Sequence, residues 1–218
     1  MRSGMKTCIF DVNGVLIDSN TANAGAMAEA FTDRPDLQKK IADIYLTLTG
    51  IDRGTKIRRI QELAIGEPFE EGEFELRWRR FKSLSGASMR RAELTDGCKA
   101  VLDELGRRGI RRVALSNTPL EELSKTVAAK GIDASLDVVR GGGDWSKSES
   151  LRRLLKEFEM DPNHCVLVGD GRGDLTAAQD SGVFFVGIDP DTGEFNGQSG
   201  FDGPYPALAG WAREWKIL

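Results

Sequence analysis

Lys6-Thr7-Cys8-Ile9-Phe10-Asp11-Val12-Asn13-Gly14 is a short apolar run that ends abruptly in a carboxylate, an amide and a glycine. Such a run, broken by Asp and Gly, reads as a buried strand leading into a loop. Comparable runs recur at 112–115, 136–139, 165–168 and 183–188, and segments with helical spacing lie between them at 98–105, 120–129, 151–158 and 175–180. Strands alternating with helices of this length predict an α/β fold: βαβ units, right-handed crossovers and a parallel sheet. The stretch 21–92 has no strand pattern. Its apolar residues recur at helical spacing near 23–31, 36–48, 54–64 and 70–84, which predicts an inserted all-helical subdomain above the carboxyl ends of the strands, where open sheets place their ligands. The Gly-, Pro- and Asp-rich tail 189–206 is expected to be irregular, with a short helix near 206–215.

Composition narrows the chemistry. In 218 residues, 30 Lys and Arg stand against 34 Asp and Glu, a net charge of −4, with 40% apolar and 29% charged residues. This is ordinary globular composition, and a mildly acidic chain without a large basic block argues against nucleic acid as the main partner. No window approaches the ~20 apolar residues of a membrane span, and Cys8, Cys98 and Cys165 lack metal-ligand or paired spacing. A cytoplasmic protein, without membrane partner, is therefore expected. His164 is the single histidine, so catalysis has to rest on carboxylates, Lys and hydroxyls.

Four short motifs could carry such chemistry. Asp11 at a strand end, followed by Asn13-Gly14, would present a carboxylate rigidly at a cleft, although Asn-Gly also fits a hairpin turn. Ser116-Asn117-Thr118-Pro119 puts a hydroxyl and an amide at another strand end. It also reads as an ordinary turn in which Thr118 caps the next helix and Pro119 opens it. Ser146-Lys147-Ser148-Glu149 has capping-box spacing and places Lys147 at a helix mouth, while Gly169-Asp170-Gly171-Arg172-Gly173-Asp174 sets two carboxylates four apart in a Gly-rich turn, able to reach one hard cation.

Taken together and in this order, these motifs resemble those of the haloacid dehalogenase superfamily, in its phosphoglycolate-phosphatase-like branch with a helical cap. The matching residues are Asp11-Val12-Asn13-Gly14-Val15-Leu16-Ile17-Asp18-Ser19, Ser116-Asn117, Lys147, and Gly169-Asp170 through Asp174. Leu94-Thr95-Asp96-Gly97 matches the return from cap to core. The resemblance implies a Rossmann-like core with helices on both faces at 1–20 and 93–218, and a cap at 21–92. It further implies a hydrolase of a small phosphorylated metabolite, active as monomer or homodimer. Asp11 would be the nucleophile that becomes an aspartyl-phosphate, while Ser116, Asn117 and Lys147 hold the phosphoryl oxygens. Mg²⁺ would be bound by Asp11, the main-chain carbonyl of Asn13, Asp170 and Asp174.

One residue departs from the pattern. Phosphatases of this family carry a second Asp two positions after the nucleophile, as the proton donor and acceptor, and this chain has Asn13. An amide keeps the shape but cannot exchange a proton at neutral pH, which costs on the order of 10²- to 10⁴-fold in rate. Three readings are open: an engineered replacement in an active enzyme, a natural variant with phosphonatase- or dehalogenase-like chemistry, or a phosphate-ester-binding protein without turnover. The retained Asp170 and Asp174 count against a metal-free dehalogenase, and for a phosphonatase Lys56 would be the nearest Schiff-base candidate. In the cap, Arg53 and Lys56 lie three apart on one helical face, which makes them candidates for binding the rest of a substrate such as a sugar phosphate.

Overall fold

The computed structural model describes residues 4–48, 53–142, 145–189 and 193–218. The chain divides into two compact units: Met1–Ile17 with Glu93–Leu218, and Asp18–Ala92. In chain order, strand β1 (Thr7–Phe10) is followed by α1 (Ser19–Phe31), α2 (Pro35–Thr47), α3 (Arg53–Ile60), a π-helical turn (Gln61–Ile65) and α4 (Glu73–Arg91). Then come α5 (Cys98–Arg107), β2 (Arg111–Pro119), α6 (Leu120–Ala129), β3 (Val138–Gly142) and α7 (Lys147–Glu157). The chain closes with β4 (Cys165–Gly169), α8 (Arg172–Ser181), β5 (Phe184–Ile188), β6 (Asp202–Tyr205) and α9 (Leu208–Glu214).

The six strands form one sheet in the order β3-β2-β1-β4-β5-β6, with every neighbouring pair parallel. This is the α/β, Rossmann-like core. β1 is central because both of its faces are apolar: Cys8, Ile9 and Phe10 are fully buried. Alternation sends Ile9 to one face, in a cluster with Leu151 and Leu154 of α7 and Leu175 of α8, and Phe10 to the other, edge-on to Trp211 of α9. Helices thus cover both faces. Phe10 pairs with Ala114 of β2 and Val168 of β4, so Asp11, Leu115 and Gly169 emerge together at the carboxyl ends of three adjacent strands.

Two local expectations fail for physical reasons. β2 does not stop at Leu115 but continues, with a shift in register, to Pro119, which pairs with Gly142. Helix α6 consequently starts at Leu120 with Pro119 as its unassisted cap, and Thr118 does not cap it. The tail is not wholly irregular either, since Asp202–Tyr205 adds an edge strand beside β5. An edge position tolerates Pro204 because its missing N–H is not needed by a further neighbour. The helix start at Lys147 is as expected: Ser146 Oγ accepts from Glu149 N at 3.2 Å.

The second unit has its own core, built from Met27 and Phe31 of α1, Ile41 and Tyr45 of α2, Ile57 and Ile60 of α3, and Phe81 of α4. Inside this unit a buried hydrogen bond from Ser85 Oγ to Asn23 Oδ1 (2.7 Å) ties α4 to α1. No described helix is long and apolar enough to cross a membrane.

Candidate active site

Asp11 leaves β1 with only 6% of its surface exposed. The chain behind it turns tightly: Ile17 N donates to Val12 O (2.9 Å) and Gly14 N to Ile17 O (2.8 Å), with Gly14 at φ 88°. That dihedral is open to glycine and strained for other residues. Thr95 closes the loop from below, its hydroxyl donating to Val15 O at 2.6 Å.

From α7, Lys147 reaches back to the strand ends. Its ammonium lies 2.6 Å from Asp11 Oδ1 and also contacts Asp174 Oδ1, all three side chains being at least nine-tenths buried. Asp174 is drawn in by its own helix start, where Oδ2 accepts from Gly171 N at 3.2 Å. It fits only because residue 169 is glycine, as a Cβ there would fall 2.4 Å from the Cβ of Asp174. Asp11, Asp170 and Asp174 have carboxylate oxygens within 4.8 Å of one another.

Burial pushes the Asp11 carboxyl up to about 6, Asp174 adding to the rise and Lys147 opposing it. Burial works against the charge on Lys147 as well, but the two carboxylates outweigh it and hold the ammonium above its ordinary range. Like charges ~5 Å apart repel by roughly 3 kcal/mol at an effective dielectric near 20. One ammonium cannot offset three carboxylates, and a set of hard oxygen donors with surplus negative charge fits a cation such as Mg²⁺.

β2 supplies hydroxyls. Asn13 Nδ2 donates to Ser116 Oγ (3.4 Å) and to Thr118 Oγ1 (3.2 Å), and Thr118 N donates to Ser116 Oγ (3.1 Å). Ser116 therefore receives two N–H donors, which leaves its own proton for an acceptor in the site. Asn13 Oδ1 is buried and without a hydrogen-bond partner. Asn117 is exposed and its side chain makes no hydrogen bond among the described residues, although its main chain packs so closely on Gly142 that a Cβ there would fall 2.3 Å from Asn117 O.

Asp11, Asn13, Ser116, Lys147, Asp170 and Asp174 are thus brought together in one unit. Thr118 belongs with them, and the signal for it was strand alternation: in an extended chain, residues 116 and 118 face the same side and 117 the other. A second group had no local signal. Glu194 Oε1 accepts from Arg172 N (2.7 Å), Glu194 O accepts from Arg172 Nε (2.8 Å), and Glu194 N donates to the buried Asp189 (3.0 Å), which fixes the start of α8 between Asp170 and Asp174. Arg53 and Lys56 lie in the other unit, on its own aromatic residues. Arg53 stands over the Phe81 ring (5.6 Å) and Lys56 over that of Tyr45 (4.1 Å).

Comparison with known proteins points to one family and one fold. A family model described as haloacid dehalogenase-like hydrolase matches residues 5–182. A phosphoglycolate phosphatase from Pasteurella multocida (strain Pm70) is 26% identical over 187 residues, spanning 82% of this chain and 83% of its own length. Among solved structures, a predicted phosphoglycolate phosphatase from Haemophilus somnus 129pt superposes with a TM-score of 0.73 at 21% identity, covering 86% of this chain and 87% of that one. A haloacid dehalogenase-like family hydrolase from Streptococcus pneumoniae gives 0.74 at 16% identity, over 97% and 99% of the two chains.

Proposed function

The chain belongs to the haloacid dehalogenase-like hydrolases, and within that family we propose that it transfers the phosphoryl group of a small phosphorylated metabolite to Asp11, with Mg²⁺ bound at Asp11, Asp170, Asp174 and the main-chain carbonyl of Asn13. The observation that carries this reading is the buried contact of Lys147 with both Asp11 and Asp174. It holds a carboxylate at the switch point of a parallel sheet beside a cluster of oxygen donors, which supports a carboxylate nucleophile with a cation at hand. The cation would supply charge neutralisation of the phosphoryl oxygens and of the three carboxylates. Lys147 and the free proton of Ser116 would hold the phosphoryl oxygens as charge builds on them, and Asn117 is the further donor proposed there. Relatives named for phosphoglycolate support a small anionic substrate, and sugar phosphates are the other class we propose.

A screen of phosphorylated metabolites, 2-phosphoglycolate and sugar phosphates included, tests the reading on this chain and on Asp11→Asn, with Mg²⁺ and with chelator. Phosphate release or covalent phosphoryl attachment that needs both Asp11 and Mg²⁺ is expected. Ligand binding that needs neither would favour a binding protein instead. For Arg53 and Lys56 the proposed role is recognition of the substrate beyond its phosphate. Arg53→Ala and Lys56→Ala should then raise KM for the true substrate, whereas unchanged KM and kcat would assign both to packing on Phe81 and Tyr45.

The titration of Asp11 gives a further test. Its folded value of about 6 lies above the ordinary 3.8, so the metal-free folded chain binds more protons than the unfolded one between the two. The stability from this group is therefore full below about pH 4 and lost as pH rises through about 6. Mg²⁺ selects the ionised carboxylate, so it should raise Tm more at about pH 7.5 than at about pH 5. An equal rise at both, or the same rise in Asp11→Asn, would remove Asp11 from the cation site.

A further inference from the structure

The need for a proton carrier rests on the reading of Asp11 as the phosphoryl acceptor: some group must deal with the proton of the leaving oxygen and later with that of the attacking water. Among the described residues of its own unit the structure offers none near Asp11. Asn13 is an amide, its Nδ2 spent on Ser116 and Thr118 and its Oδ1 buried without a partner. An amide oxygen orients a proton but does not take it. Ser116 and Thr118 are hydroxyls, Lys147 is committed to two carboxylates, and Asp170 and Asp174 belong to the cation set. The one imidazole lies at the wrong end of the sheet: His164 O accepts from Lys6 N at the start of β1, and four strand residues at ~3.3 Å each separate that end from Asp11. The second unit brings neither His nor Cys, and a carboxylate acid from it is the alternative that the test below separates.

We propose that the productive phosphoryl donor for this chain is an acyl phosphate, a mixed anhydride of phosphoric and carboxylic acids, and that the phosphoryl group then stays on Asp11. An alcohol leaving group departs as an alkoxide unless it is protonated. A carboxylate, whose acid has a pKa of ~4, departs as a stable anion. The step balances without a proton. An oxygen of the Asp11 carboxylate forms a bond to phosphorus, the bond from phosphorus to the acyl oxygen breaks, and its electron pair leaves on the departing carboxylate. Energetically it is an exchange of like for like, because the aspartyl-phosphate formed is itself an acyl phosphate. A phosphate ester, by contrast, would have to climb to the same product. Hydrolysis of that product then lacks a base to take the proton of water, so the phosphorylated chain accumulates.

The test mixes the full chain with Mg²⁺ and either acetyl phosphate or 2-phosphoglycolate, follows the first turnover by rapid quench, and weighs the intact protein. Acetyl phosphate should give a burst of one acetate per chain and a phosphoryl adduct that is absent in Asp11→Asn. With the ester, the burst should be slower by on the order of 10²-fold or more. In Asn13→Asp the ester should catch up and the adduct should no longer accumulate. If Asn13→Asp hydrolyses the ester but the unchanged chain forms no adduct from acetyl phosphate, the inference fails and the proposed function survives. Equal bursts from both donors in the unchanged chain would reveal another acid and would also overturn it. If neither chain reacts with either donor, the role of Asp11 itself falls.

Discussion

Asn13→Asp is expected to raise the turnover of an alkyl phosphate such as 2-phosphoglycolate by roughly 10²- to 10⁴-fold, the range that general acid–base catalysis contributes. The amide and the carboxylate have the same shape, so the tight turn closed by Gly14 N on Ile17 O should survive. The adjoining hydroxyls can adapt by rotation. Asn13 Nδ2 now donates to Ser116 Oγ and Thr118 Oγ1; a carboxylate in its place would instead accept from them, and Ser116 Oγ would keep the hydrogen bond from Thr118 N. The other carboxylate oxygen would take the position of Asn13 Oδ1, which has no partner to lose. The proposed contact of Lys147 with the phosphoryl group is untouched and Ser116 shares its one proton with the new carboxylate, so kcat should carry most of the gain and KM should change far less. Phosphate release from matched samples of both chains measures it. An Asn13→Asp chain that stays silent across a panel of phosphate esters, while folded and binding Mg²⁺, would show that residue 13 is not what limits this site.

How much of this was readable beforehand depended on whether a residue's role was local. β1 was legible because a strand buried on both faces has to be apolar throughout, and Asp11 stood out as the polar residue that ended it. Local pattern marked Lys147 firmly only as a helix start, and its place in the site came from the resemblance. That its ammonium lies against Asp11, 136 positions away, is a product of the crossover, not of local pattern. Ser116-Asn117-Thr118-Pro119 misled because hydroxyl, amide and proline are what a turn and a helix cap also use. The competing pull, pairing of Pro119 with Gly142 after a shift in register, comes from a strand whose own residues carry no mark of it. Asp202-Gly203-Pro204-Tyr205 likewise reads as a turn, and becomes a strand because β5 offers it an edge. The Glu194 contacts that hold Arg172 join two loops 22 residues apart and leave no periodic trace.

Lys147→Met, made in the Asn13→Asp background so that turnover can be read, should separate the structural from the catalytic role of the ammonium. Methionine keeps the side chain out to Cε and removes the charged nitrogen with its N–H donors. In the metal-free chain near neutral pH, Asp11 and Asp174 would then face each other without Lys147 between them. Removing one partner from a buried ion pair typically costs about 3–5 kcal/mol. The loss should depend on pH in a fixed direction. Lys147 opposes the rise at Asp11, so without it Asp11 holds its proton to higher pH than before; the deficit is largest above about pH 7 and shrinks toward about pH 5, where protonation of Asp11 removes the repulsion. Mg²⁺ should restore much of the lost Tm, since it supplies the missing positive charge to the same oxygens. It should not restore the rate if the ammonium has its proposed second role on the phosphoryl oxygens, since loss of one such donor costs on the order of 10²- to 10³-fold in kcat. Thermal melts at two pH values with and without Mg²⁺, beside initial rates, check both roles. A Lys147→Met chain that melts like its parent without metal near pH 7.5 would mean that the two carboxylates do not depend on this lysine, and full activity would remove it from phosphoryl binding.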